Sequence, residues 1–203
     1  LEPSNTAIDK KLAEIYYLKN DFSKAADAYS RFAMGPKANE EDLVRYAFAL
    51  FLNHDFAKSL EVANMGLKKN PRHAAFNRLA MYNNTDLKRF EEALKAADVF
   101  FNECDKADYS YLDYMYYGHL LEELKKYDEA VGQYEKAVEL DPTKTDLYKN
   151  ISSVYEQKND YKKAIGAYHK YYSSLEKEKQ TPDLQFQLGR LYYGAGTQPD
   201  SWT

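Results

Sequence analysis

His119 and Glu122 stand three residues apart, with Glu123 adjacent, and on a helix an imidazole and a carboxylate at that spacing can share a metal ion. A metal site needs further ligands. His54, His73 and His169 have no acidic partner at ligand spacing, so neither a metal nor another cofactor is expected. Cys104 is the single cysteine: it cannot form an internal disulfide, and it sits in an irregular stretch without a nearby base. There is no glycine-rich phosphate loop and no nucleophile elbow. Nothing in this inventory assembles a catalytic constellation, and the chain is expected not to be an enzyme.

The elements that carry these residues repeat. A ring residue followed three positions later by a small one recurs as Phe22/Ala25, Phe56/Ser59, Phe90/Ala93, Tyr127/Ala130 and Tyr161/Ala164, at spacings of 34, 34, 37 and 34. Within each stretch the apolar spacing is helical, as in Phe22, Ala25, Tyr29 and Phe32, which predicts one buried helix face. A second periodic segment precedes each pair across a short polar turn: Lys19-Asn20-Asp21, Asn53-His54-Asp55, Lys125-Lys126 and Lys158-Asn159-Asp160. Each unit therefore reads as a helical hairpin. Pro36, Pro71, Pro142 and Pro182 are expected between units, since a proline inside a helix costs about 3 kcal/mol.

If the helices of a hairpin cross closely, one small residue on each must meet there. The expected pairs are Ala13 with Ala25, Ala47 with Ser59, Ala80 with Ala93, Gly118 with Ala130, and Ser152 with Ala164. Two departures are expected. Leu79-Ala80 lies one residue early relative to Phe90, which predicts an extra turn residue between Asn83 and Leu87 and an uncertain register in that unit. The spacing of 37 predicts three extra residues around Cys104 to Ser110, lengthening a helix or a loop and altering the local twist.

These residues resemble the tetratricopeptide repeat family, most fully in Tyr114, Tyr117-Gly118, Leu121, Tyr127, Ala130, Tyr134, Ala137 and Asp141-Pro142. The resemblance runs from about residue 6 to 193 and implies an all-α fold, a right-handed α-α superhelix or solenoid of antiparallel helix hairpins. Residues 1–203 then form a single array, with units at about 6–39, 40–72, 73–110, 111–144 and 145–178 and a partial sixth at 182–194. The resemblance also implies that the first helices of successive units line a concave groove. It assigns to that groove Lys10, Glu14, Val44, Arg45, Phe48, Arg78, Met115, Tyr116, His119, Lys149, Asn150 and Ser153. Of the twenty tyrosines, most fill recurring packing positions, and Tyr109 and Tyr116 are the surface candidates. The carboxylate clamp that some family members use for chaperone tails is not expected. Of Lys10, Glu14, Arg45, Ala74 and Arg78 at its five places only Lys10 and Arg78 match, and Glu14 would repel a carboxylate.

Composition narrows the partners. The chain has 203 residues, 44% hydrophobic and 30% charged, with a formal net charge of -4. No basic run follows a phosphate backbone, so nucleic acid is not expected, and no apolar run approaches the roughly 18 residues that span a bilayer. Leu1 is not an initiator methionine, and the lone cysteine leaves either the cytosol or a periplasm-like space open. Two function classes remain. One is a non-enzymatic scaffold that binds a protein or peptide partner through the groove. The other is an assembly segment that self-associates through its incomplete C-terminal unit, whose lone first helix leaves an apolar face uncovered.

Overall fold

Five three-residue turns, each with a left-handed residue at its centre, organise the chain. The central residues are Asn20, His54, Lys88, Lys125 and Asn159, with φ between 57° and 61°. A left-handed residue ends a helix by letting the next N–H reach back to a carbonyl five residues earlier. Asp21 N bonds Tyr16 O at 2.9 Å, Arg89 N bonds Asn84 O at 2.8 Å and Lys126 N bonds Leu121 O at 2.8 Å, and the other two turns repeat the pattern. The residue that closes the turn then caps the next helix. Asp21, Asp55 and Asp160 accept from the backbone N–H of Lys24, Lys58 and Lys163.

The computed structural model describes residues 6–35, 38–104 and 108–196. Packing divides the chain into two compact units, Leu1–Asp108 and Tyr109–Thr203. In the first unit the helices are α1 (Thr6–Leu18), α2 (Phe22–Ser30), α3 (Glu40–Leu52), α4 (Phe56–Lys69), α5 (Ala74–Asp86) and α6 (Phe90–Asn102). In the second they are α7 (Tyr111–Glu123), α8 (Tyr127–Leu140), α9 (Leu147–Gln157), α10 (Tyr161–Ser174) and α11 (Pro182–Gly194). Among the described residues there is no strand.

The close helix crossings follow the small residues. Ser59 and Ser152, which stand where other units have alanine or glycine, are buried and satisfy their hydroxyls across the crossing. Ser59 Oγ donates to Ala47 O, and Ser152 Oγ donates to Ala164 O, both at 2.8 Å. Gly118 meets the ring of Tyr134, where an added Cβ would stand 2.9 Å from ring carbons. Gly66 meets Phe76 more tightly still, with an added Cβ 2.1 Å from Cε2.

The structure corrects three expectations. The turn of the third hairpin, Leu87-Lys88-Arg89, has the same length as the others, so no extra residue is present. The displacement lies inside α5, where fully buried Met81 takes the place held by Ala13, Ala47, Gly118 and Ser152 elsewhere. Arg78 consequently stands in the same register before Phe90 as Val44 before Phe56. Second, α2 ends at Ser30, so Phe32 lies in the following turn, yet it stays buried with its ring 5.6 Å from that of Tyr29. Third, Pro182 is the first residue of α11 and not a linker residue. That position needs no backbone N–H and suits proline's fixed φ. Pro71 and Pro142 do lie between helices, and Pro36 is outside the described residues. Of the two outcomes expected from the widened spacing, a longer helix or a longer loop, the first is absent: α6 is not longer, with 13 residues against 14 in α4. The widening falls in the connection from Glu103 to Ser110, of which 105–107 are outside the described residues.

Candidate interaction groove

In the first unit, the cations that the resemblance assigns to the groove are already held by protein groups. Lys10 Nζ lies 2.6 Å from Oδ1 of Asp42, a nearly buried carboxylate that also accepts from the N–H of Asn39, so it ties α1 to the start of α3. Arg45 lies 3.0 Å from Glu41 and 3.4 Å from Glu14. Burial pushes the Tyr29 phenol up, against a smaller opposing pull from Arg45, so it stays an O–H. Arg78 donates to Asp108 O at 2.7 Å and stands 5.1 Å over the ring of Phe100. Val44 belongs to the core at 7% exposure, which leaves Phe48, half-buried on that core, as the apolar surface of the set.

In the second unit, Met115 packs half-buried against the cluster around Val131, Tyr134 and Ile151. Tyr116 is half-buried, while His119, Lys149 and Asn150 are exposed. Lys149 Nζ stands 5.9 Å over the Tyr171 ring. Glu122, the carboxylate one turn from His119, accepts from Tyr134 Oη at 2.9 Å and from Gln157 Nε2 at 2.6 Å, which joins α7, α8 and α9. Burial and then the Glu122 charge push the Tyr134 phenol far above its ordinary range, so it donates at every physiological pH. The next step along the unit differs. Glu156 pairs at 3.0 Å with Arg190 of α11. Among the described residues no three of His, Cys, Asp and Glu are grouped to hold a metal ion, and no helix is long and apolar enough to cross a membrane.

The Glu122 junction and the Glu156–Arg190 pair are not in the sequence-derived set. Their signal is a second repeat within the repeat: Glu122, Tyr127 and Tyr134 recur at equal spacing as Glu156, Tyr161 and Tyr168. Earlier units place Tyr17 and Phe51 where these glutamates stand. A ring there packs on the next ring, as Tyr17 does on Phe22 with centroids 5.6 Å apart, and a carboxylate instead collects hydroxyl and amide donors.

Hairpins with a small residue at each crossing and a left-handed turn residue define the class of this protein. Residues 118–159 match the family model described as TPR repeat, and the chain has the fold of the tetratricopeptide proteins. Among solved structures it is similar to MamA from Desulfovibrio magneticus RS-1, with a TM-score of 0.72 at 18% identity over 88% of this chain and 99% of that one. It is also similar to the C-terminal part of a TPR repeat-containing protein from Cytophaga hutchinsonii. That match has a TM-score of 0.66 at 26% identity, over 75% of this chain and 58% of that one. No curated protein matches the sequence.

Proposed function

We propose that the chain is a non-enzymatic protein-interaction scaffold that binds a peptide or partner protein on the groove faces of its first helices. The observation that carries this reading is a half-buried apolar surface on the first helices of each unit, Phe48 in one and Met115 with Tyr116 in the other, on helices held by junctions such as Lys10–Asp42 and Glu122–Tyr134. Because those junctions fix the helices before binding, little of the scaffold has to be ordered by a partner. Rings then supply the affinity, while Arg45, Arg78, His119, Lys149 and Asn150 set orientation and charge preference. Val44 backs the Phe48 surface from the core of the first unit. The test is titration of a purified partner, first identified by affinity capture from the source cell, against wild-type, Phe48→Ala and Tyr116→Ala chains. Each variant is expected to bind about tenfold more weakly, roughly 1.4 kcal/mol, while remaining helical. Unchanged affinity in both removes the groove reading.

A second reading, self-association, is favoured by one observation: α11 exposes Phe186 at 72% and Tyr193 at 89%. Large rings so exposed on one helix are a cost unless something covers them. Light scattering across a concentration series decides this, and a strict monomer at high concentration excludes it.

A further inference from the structure

Two equivalent tyrosines of the second unit have different fates. The Tyr134 hydroxyl donates to Glu122 on the first helix of its own hairpin, at 2.9 Å. Glu156 and Tyr168 repeat that pair at the same separation in the next hairpin, yet the Tyr168 hydroxyl is buried without a hydrogen-bond partner. Glu156 is engaged elsewhere: its Oε2 accepts from Arg190 of α11 at 3.0 Å. A buried hydroxyl left unpaired is costly to keep, so the docking of α11 satisfies Glu156 and strands Tyr168.

Little else holds α11 down. The first helix of the preceding hairpin, α9, buries Leu147, Ile151, Ser152 and Val154, whereas α11 buries Leu191 alone. Leu184 and Leu188 are only half-buried against the same cluster, Phe186 and Tyr193 are exposed, and a cleft of about 280 Å³ remains between α11 and the α9–α10 hairpin. The other polar ties of α11 lie at the surface. Gln185 Nε2 donates to Tyr172 Oη at 3.1 Å, and the Tyr192 hydroxyl lies 2.9 Å from His169 Nε2. The connection before it is anchored separately, with Gln180 Nε2 donating to Leu175 O at 3.1 Å and to Tyr172 O at 3.3 Å. A helix with one buried residue and solvated polar contacts belongs to the low-stability end of a fold, and such elements open before their neighbours.

We propose that α11 is a displaceable end helix and that Glu156 is its latch, bonded to Arg190 when α11 is docked and to the Tyr168 hydroxyl when α11 swings away about Thr181-Pro182. One charge-assisted bond replaces another, so the two arrangements stay close in free energy, as a bistable element requires. Release uncovers Tyr168 and Tyr171 together with half-buried Tyr148 and Tyr155, the apolar cluster to which Leu191 belongs. A partner that binds this uncovered face shifts the balance towards release by its differential affinity for the two arrangements.

The test is amide hydrogen exchange of the intact chain, read by NMR at Leu188 to Tyr193 of α11 and at Ile151 to Tyr155 of α9. In the wild type the α11 amides are expected to exchange at least about tenfold faster than those of α9. Tyr168→Phe removes the bond made on release, so α11 exchange is expected to slow about fivefold or more while α9 stays as it was. In an Arg190→Met chain Glu156 is free to take the Tyr168 hydroxyl in both arrangements, so adding Tyr168→Phe is expected to leave α11 exchange unaltered. Equal protection of α11 and α9 in the wild type, unchanged or faster α11 exchange in Tyr168→Phe, or the same slowing in the Arg190→Met background overturns the proposal.

Discussion

Gly66→Ala is expected to destabilise the first unit by about 2 kcal/mol, although the same change in an open helix would stabilise it by about 1 kcal/mol through helix propensity. The added methyl carbon would stand 2.1 Å from Phe76 Cε2 and 2.4 Å from Cδ2 and Cζ, well inside van der Waals contact. Phe76 cannot retreat: it is fully buried, and the His73 ring packs on it with centroids 4.5 Å apart. Interiors packed at crystal density accommodate such an insertion only by straining rotamers or backbone, at about 1 to 3 kcal/mol. Phe76→Ala alone opens a cavity instead and is expected to cost about 3 to 5 kcal/mol. In that background Gly66→Ala should change sign and become stabilising, because the clash is gone and the propensity gain remains. A double-mutant cycle by urea unfolding reads the coupling, and strictly additive effects would refute the account.

The second unit gives the other large effect. Tyr134→Ala is expected to cost about 3 to 5 kcal/mol, since the ring is fully buried and fills the space that Gly118 leaves on α7. Tyr134→Phe isolates the hydroxyl. It strips Glu122 of one of two donors and is expected to cost about 1 to 2 kcal/mol, within the range for hydrogen bonds to charged groups. Tyr168→Phe removes a hydroxyl with no partner and is expected to change stability by less than about 0.5 kcal/mol or to raise it. Urea unfolding of the two phenylalanine variants side by side checks the contrast, and equal losses would contradict it.

The hairpins were legible in the sequence because ring, small residue and polar turn recur at fixed spacing, and each has a direct local cause. The third hairpin was misread for a local reason too. The small residue expected in α5 is replaced by Met81 and Ala80 stands one position before it, so the landmark was out of step by one. The resemblance assigned first-helix residues to a groove, and the polar partners of those residues could not be read with them. Lys10 meets Asp42 and Arg45 meets Glu14 across an intervening helix, and Glu122 divides its oxygens between α8 and α9. Which donor a carboxylate selects depends on helix packing, and a charge on a solvated face looks the same in sequence as one that bolts two repeats together.

The connection from Glu103 to Ser110 separates two helices whose ends are secured independently. The N–H groups of Glu103 and Cys104 both bond Val99 O, which finishes α6. Ser110 offers its N–H and hydroxyl to the fully buried carboxylate of Asp113, which starts α7. Neither cap draws on the residues between them. Elsewhere a single inserted residue would rotate a helix by about 100° and turn its apolar stripe out of the core, but here the chain can gain or lose residues while both units keep their phase. The spacing of 37 among intervals of 34 is absorbed in this connection, outside the two capped helices, so each keeps the phase that its own cap sets.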